Sequence, residues 1–397
     1  MASARSVIIA GAGIGGLTAA LAIARRGLHV TVLDQVPRLE EIGAGVQLSP
    51  NVSRVLLSLG LGEELQPHVV VPEQLRVMDA QTARVLARAP LGAGAALRYG
   101  APYWVMHRGD LQAVLVEAVR RHPEIELRLG TRVEAFAAQR GDIAVFAQTP
   151  VGRVEYRGVA LVGADGIWST VRERLGHPDR PRFAGHTAWR ALVPAEGLGA
   201  ELREPALNLW LGPGAHLVHY PVRRGKLVNV VAIARDAWRE PGWTAAADRQ
   251  DVLARYPADR WPSSVRGLLE APPPWQKWAL SDRLPLGRWG KGAVTLLGDA
   301  AHPMLPYLAQ GAAMAIEDAA VLARCLADAP DSPQSALRAY EDKRRWRTAR
   351  VQRAARRNGW LFHLAGAPAL LRTLALLTVG GKRLTTRYDW LYGWKPD

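Results

Sequence analysis

The run Gly11-Ala12-Gly13-Ile14-Gly15-Gly16 sets three glycines at offsets suited to one task, holding a pyrophosphate against backbone. Gly11 permits a tight turn, Gly13 lets the chain approach the phosphates, and Gly16 allows a helix to pack closely on a strand. A helix beginning near Ile14 and Gly15 would add free N–H groups and the positive end of its dipole. The elements that must position this turn are legible on either side. An apolar run over 6–10 precedes it and an alanine- and leucine-rich segment over 17–25 follows. A second apolar run, His29-Val-Thr-Val-Leu33, ends in Asp34, where a ribose-binding carboxylate is expected. Strand, turn, helix, strand and acid together predict a dinucleotide site.

Two later strand ends repeat the delivery of glycine plus carboxylate. Val159-Ala-Leu-Val-Gly163-Ala164-Asp165-Gly166 runs from an apolar strand into a turn, with Arg172 able to reach back from the next helix. Val294-Thr-Leu-Leu-Gly298-Asp299-Ala300-Ala301-His302-Pro303 does the same, and Gln310-Gly311-Ala312-Ala313-Met314 then opens a helix carrying Glu317 and Asp318. In this order, from about residue 5 to about 345, the three motifs resemble those of the single-component FAD monooxygenases. These are the flavoprotein aromatic hydroxylases, here of the branch with salicylate hydroxylase and 3-hydroxybenzoate 6-hydroxylase.

Composition narrows the alternatives. At 397 residues and 49% hydrophobic content, the chain can bury one large core or two lobes. No run of about 20 apolar residues suggests a membrane span, and no signal peptide precedes the first strand. Cys325, the single cysteine, is expected in a core, which agrees with a cytoplasmic setting. The net charge of +15 is mostly arginine, with lysine only at 226, 277, 291, 343, 382 and 395. These charges are scattered and carry no nucleic-acid signature, so they read as a solvated surface with a field that attracts anions. No metal site is expected.

The expected fold is α/β. A Rossmann-like FAD-binding domain is assembled from 1–72, 98–180 and 281–350, with a mostly antiparallel sheet domain from 73–97 and 181–280 and a C-terminal helical segment over 351–397. Strand-like runs cover 187–233, and 236–270 reads as helix broken by Pro241, Pro257 and Pro262. Pro272 to Pro274 marks the return. A charged helix is expected over 335–356, and the apolar stretch 361–379 should dock on the core or on a partner subunit, which is compatible with a homodimer. Only one complete GxGxxG turn is present, since Gly92-Ala-Gly94 lacks both a third glycine and a preceding strand. NAD(P)H must therefore visit the flavin without a Rossmann domain of its own.

The resemblance implies residue roles. Asp34 binds the adenosine ribose and Asp299 the ribityl and pyrophosphate region. Arg108 matches the arginine that holds the cofactor, with an ion pair to Asp110 as the alternative. Arg132 and Val133 match the strand that flanks adenine through its backbone. Asp165, with Arg172, serves FAD and the arriving nicotinamide nucleotide. Gly311 and Ala312 should aim helix N–H groups at the flavin, favouring the anionic reduced form. Hydroxylation through a flavin C4a-hydroperoxide then needs O2, shielding from water, and a base or relay for a phenolic substrate. His216 and Tyr220 match that machinery. In a strand they share one face about 13 Å apart, with His219 on the other. Gln47 should reach the pocket, and Leu305, Pro306 and Tyr307 should roof it. Pro306 stands where the 3-hydroxybenzoate 6-hydroxylase type has glutamine, which favours the salicylate-hydroxylase pattern. Arg190 is the candidate cation for a substrate carboxylate, with a buried or interface ion pair as the alternative. A larger aromatic or polyketide-like substrate, or a non-oxygenating FAD oxidoreductase, remains the other reading of the same motifs.

Overall fold

The computed structural model describes residues 6–39, 44–139, 142–238, 244–271 and 274–396. Its flavin-side sheet is parallel, with spatial order Val294–Leu296, Ala160–Gly163, Ser6–Ala10, His29–Leu33 and Ile125–Arg128. Strands covered on both faces read as continuous apolar runs, and Val7, Ile8, Ile9, Leu161, Val162 and Val32 are fully buried. The helix Ile14–Ala24 is apolar on every side because it packs between the helices Arg108–Arg121 and Gly311–Asp328. Thr18, its one polar residue, returns its hydroxyl to the Ile14 carbonyl at 2.6 Å. Cys325 is buried in the Gly311–Asp328 helix.

The second sheet has eight strands, in the order Thr244–Ala247, Trp275–Asp282, Arg182–Pro194, Leu227–Arg235, Ala215–Val222, Ala206–Gly212, Gln74–Asp79 and Val85–Pro90. Its pairs are antiparallel except Ala206–Gly212 with Gln74–Asp79. One face packs Trp189, Leu217 and Val230 against Val252, Val265 and Leu268 of the short helices Arg249–Leu253 and Ser263–Glu270. The other face turns to the flavin-side domain.

Two expectations need correction. Part of the segment read as helix over 236–270 is the edge strand Thr244–Ala247, because pairing with Trp275–Asp282 overrides the helix preference of three alanines. Pro241, Pro272 and Pro273 lie outside the described residues. The charged helix is also longer than expected, Pro333–Phe362, or about 45 Å at 1.5 Å per residue. It ends at the C-cap His363, and Gly366 beyond it adopts φ +61°. The chain then bends by 111° into Ala367–Thr386. That last helix lies along Val85–Pro90 with Leu376 inward, while Leu370, Leu371, Leu374 and Leu377 are exposed. Among the described residues no single helix is long and apolar enough to cross a membrane.

Candidate active site

The glycine turn is built by contacts that only hydrogen side chains allow. Gly11 has φ +111°, and a Cβ there would lie 2.4 Å from the Ala164 carbonyl oxygen. A Cβ on Gly16 would lie 1.9 Å from the Gly11 oxygen, and one on Gly15 would press on Leu297 and Ala315. Gly13 differs, because nothing lies within 4 Å of its Cβ position. The three tight glycines shape the turn and the fourth leaves open space in front of it. Ile14 starts the helix and is itself buried.

Asp34 accepts the Ala12 N–H at 2.5 Å and the Val36 N–H at 3.0 Å, so its carboxylate braces the turn at the edge of this space. The Thr131 N–H bonds to the Asp34 carbonyl, bringing the start of the Arg132–Ala138 strand alongside. Val133 is buried, whereas the Arg132 side chain turns outward to Glu134, leaving its backbone as what it presents here. Asp165 accepts from the Ser169 hydroxyl at 2.5 Å and from the Val171 N–H at 3.1 Å, and burial pushes its carboxyl above the usual range. The expectation that Arg172 reaches back to Asp165 is corrected. Its buried guanidinium bonds to the Ala300 and Ala301 carbonyls and to Asp179, fastening the turn after Gly298 instead.

That turn carries Asp299. Asp299 and Arg108 are both accessible to solvent by area, yet protein surrounds each of them closely. Burial pushes Arg108 down and Asp299 up, and each charge partly offsets the other's shift. Accessible side chains that are enclosed on all sides line a cleft rather than an outer surface. Asp110 is bonded to Arg223 and His107, so the alternative of an Arg108–Asp110 pair is not what forms. Gly311 opens the 18-residue helix Gly311–Asp328, whose first-turn N–H groups lack helical partners, and a Gly311 Cβ would sit 4.0 Å from the Asp299 carboxylate. Gly311 and Ala312 are half-buried there. Before them Ala309 holds φ +53°, a left-handed conformation costing an L-residue about 1 kcal/mol.

A buried ionic network holds this helix. His302 lies 2.6 Å from Asp318, which also accepts from the Gly298 N–H and from Arg344. Burial opposes ionisation of Asp318, but His302 and Arg344 outweigh it and hold the carboxyl below its usual range. Glu317 accepts from Arg344, Arg347 and Asn51.

The exposed-to-cavity face of the eight-stranded sheet forms a floor. His216, Val218 and Tyr220 share that face and pair in register with Ile233, Val231 and Asn229, beyond which lie Ala188, Arg190 and Leu192. Val218, Val231 and Arg190 are only half-buried although they sit mid-sheet, so there is space above them. Tyr220 is buried at one end, where a Cβ on Gly45 would come within 2.6 Å of its ring and hydroxyl. Gln47 lies beside Tyr220 and accepts the Tyr103 hydroxyl at 2.8 Å. Burial raises the Tyr220 phenol, with nearby Arg190 pulling the other way. At the other end, the rings of His216 and Tyr307 are 5.5 Å apart. Leu305 and Tyr307 are buried and Pro306 half-buried above the floor. His219 points to the opposite face, stacked near Trp210.

Arg190 is the unusual member. Its guanidinium stands 4.9 Å over the Trp278 ring, its Nε makes no hydrogen bond, and no carboxylate pairs with it among the described residues. Burial, then the neighbouring Arg108 charge, push it down to about 10. Sequence reasoning missed Tyr103, Asn229 and His363. Asn229 accepts the Gly45 N–H at 2.6 Å across 184 residues, and His363 contacts His216 across 147. Only a polar residue interrupting an apolar run hinted at either.

An FAD fits these residues. The open space at Gly13, the enclosed cleft at Arg108 and Asp299, and the free helix start at Gly311 supply a phosphate turn, a charged lining and oriented donors. Residues 4–355 match the family model described as FAD binding domain. The 3-hydroxybenzoate 6-hydroxylase 1 of Aquipseudomonas alcaligenes is 41% identical, covering 98% of this chain and 97% of its own. The 3-amino-4-hydroxybenzoate 2-monooxygenase PtnB3 of Streptomyces platensis is 40% identical, covering 98% and 96%. The crystal structure of Klebsiella pneumoniae HpxO complexed with FAD and uric acid is similar with a TM-score of 0.86 at 26% identity, covering 98% and 96%.

Proposed function

This chain belongs to the FAD binding domain family of flavoprotein monooxygenases, and on that premise we propose that it uses NAD(P)H and O2 to hydroxylate a phenolic aromatic acid. The observation that carries the substrate class is Arg190, a half-buried cation closely surrounded by protein and facing the space above the sheet, with no carboxylate of the described residues to pair with. Burying an uncompensated charge is costly, and an anionic substrate removes that cost on binding. When bound, FAD takes a hydride from NAD(P)H and delivers one oxygen atom of O2 to the ring, the other leaving as water.

The chain's own residues do the rest. Gly11, Gly13, Ile14, Gly15 and Gly16 hold the pyrophosphate, with Asp34 and the backbone of Arg132 and Val133 on the adenosine side. Asp165 serves the cofactor from the neighbouring strand end. Arg108, Asp299, Gly311 and Ala312 line the cleft toward the reacting ring. Arg190 holds the substrate carboxylate, and Leu305, Pro306 and Tyr307 close over it to keep water out. Tyr220, steadied by Gln47, orients the phenol, and His216 accepts its proton. Pro306 offers neither a side-chain amide nor an N–H, so binding of the phenol falls to the floor residues. In the same reading the flavin-binding unit comprises 1–72, 98–180 and 281–350. The substrate unit comprises 73–97 and 181–280, followed by a helical 351–397. The exposed leucines of Ala367–Thr386 pair two copies in the cytoplasm.

The test is NADH and NADPH oxidation by the FAD-loaded protein against a panel of hydroxybenzoates and their carboxamides, with product and H2O2 both measured. One acid should stimulate oxidation and yield hydroxylated product with little peroxide, and its amide should not. Equal response to acids and amides would overturn the role of Arg190, and absence of product from every acid would overturn the substrate class.

A further inference from the structure

The floor of the substrate space does not end at His216. One row further along the same face, His186 of the strand Arg182–Pro194 and Arg235 of the strand Leu227–Arg235 stand opposite each other in register. Over this row lies a cavity of about 440 Å3, lined among others by Arg235, Arg356, Leu305, Tyr307, Trp360 and Leu364. A partition of rings divides it from the rest of the floor. The His216 ring is 5.5 Å from that of Tyr307 and 4.9 Å from that of His363, and His363 stacks on His186 with centroids 4.3 Å apart. His216 itself does not line the cavity, whose rim carries the exposed Trp360 and Arg235. It is a second space, outside the partition and open to solvent.

We propose that this cavity is a second binding site, for a small aromatic carboxylate, with Arg235 holding the carboxylate and the rings of Trp360 and Tyr307 flanking the aromatic ring. The assignment goes beyond the phenolic-acid reading and does not depend on it, because it comes from the lining of this cavity alone. The volume falls in the range of small-molecule sites, about 300–1,000 Å3. No Asp or Glu lines it. Asp282 neutralises Arg356 at 2.7 Å, and Asp236, next to Arg235 in sequence, is taken by Arg255 at 3.1 Å. Burial pushes His186 below the histidine range, and burial with His186 and Arg235 pushes His363 down to about 3, so both imidazoles are neutral at neutral pH. Arg235 is thus the cavity's one uncompensated charge among the described residues, and its planar fork matches one carboxylate.

The rest of the lining selects what the carboxylate is attached to. Leu305, Leu364 and Ala365 are apolar, and Trp360 and Tyr307 present ring surface on which a flat ligand packs better than a flexible chain. A polyphosphate would need several cations or the start of a helix. The helix that reaches this cavity, Pro333–Phe362, brings its carbonyl end instead. A monoanion with an apolar, planar body is what remains.

The experiment is equilibrium dialysis of radiolabelled 3-hydroxybenzoate against the FAD-loaded protein without nicotinamide, with flavin absorbance followed in parallel. Dialysis counts all bound acid, whereas the flavin responds only to acid inside the partition. Wild type should bind two equivalents, one of them without effect on the flavin spectrum. Arg235→Gln should weaken this silent equivalent by roughly 10-fold or more and leave the flavin response intact. Ala184→Phe, which narrows the cavity, should remove the silent equivalent, and 3-hydroxybenzamide should not compete for it. Arg357→Gln, at an exposed arginine of the same helix outside the cavity, should change neither equivalent. Absence of a silent equivalent in wild type would overturn the second site. So would a silent equivalent that Arg235→Gln and Ala184→Phe leave unchanged, or one that Arg357→Gln weakens equally, the mark of a general charge effect. A silent equivalent that depends on Arg235, with no acid changing the flavin spectrum, would sink the phenolic-acid reading and leave this site standing.

Discussion

Replacing Arg190 with methionine should make the protein more stable and less able to bind its substrate. Methionine keeps an unbranched chain of similar reach and removes the charge. Burial pushes the guanidinium down to about 10. Against an ordinary arginine that is two to three pH units, or about 3 kcal/mol at 1.36 kcal/mol per unit, held against the charged form. Loss of the stacking over Trp278 gives back about 1 kcal/mol. The substrate-free protein should therefore gain about 2 kcal/mol, read as a higher urea midpoint with FAD content unchanged. An ion pair to a carboxylate in a desolvated site is worth about 3–5 kcal/mol when one partner is deleted, so affinity for the acid should fall roughly 10²- to 4 × 10³-fold. The carboxamide analogue should lose far less. A destabilised Arg190→Met protein that still prefers acid to amide would refute the reasoning, because Arg190 would then have a structural partner and no substrate role.

Gly13 and Gly16 should separate cofactor binding from folding. Gly13→Val meets open space, so apoprotein unfolding should stay within about 0.5 kcal/mol of wild type while FAD retention is lost, whereas Gly16→Ala, with its Cβ at 1.9 Å from an oxygen, should lower the apoprotein unfolding midpoint itself. Gly45→Ala should displace the Tyr220 ring and lower kcat/KM roughly 10²-fold at normal FAD content. Burial pushes His219 to about 3 and both its nitrogens lack partners. The unfolded chain then binds the extra proton, so stability is full above about pH 6.5 and declines as pH falls toward 3. His219→Leu should remove up to about 1.36 kcal/mol per pH unit from that slope in urea titrations at stepped pH, and an unchanged slope would mean that water reaches the ring.

The parts of this molecule readable from sequence are those whose cause is local. The turn at Gly11 is visible because a left-handed φ at Gly11 and the 1.9 Å approach of a Gly16 Cβ to the Gly11 oxygen exclude side chains within six residues of one another. The alternation at His216, Val218 and Tyr220 is visible because a strand repeats every two residues, so three positions on one face can be named without knowing what they face. Arg172 was misplaced because a guanidinium reaches far enough that sequence neighbours do not limit its partners, and its bonds go to carbonyls about 128 residues away. Thr244–Ala247 reads as helix by composition and becomes strand only through its neighbour. The contact between His216 and His363 joins a strand to the end of a helix, and no periodicity connects them.

The strand order of the flavin-side sheet sets a schedule for the newborn chain. The first strand pairs with the sheet's fourth in sequence, whose far edge is closed by Val294–Leu296, the last strand among the described residues. Until residue 296 and the helix that follows it have left the ribosome, the Ala160–Gly163 edge and the glycine turn packed on Ala164 and Leu297 are unfinished. Non-local pairing of this kind folds late and leaves strand edges open to wrong partners meanwhile. The cofactor cleft thus comes into being only after Val294–Leu296 and the helix Gly311–Asp328 have emerged, and free FAD meets a completed sheet rather than its first strands.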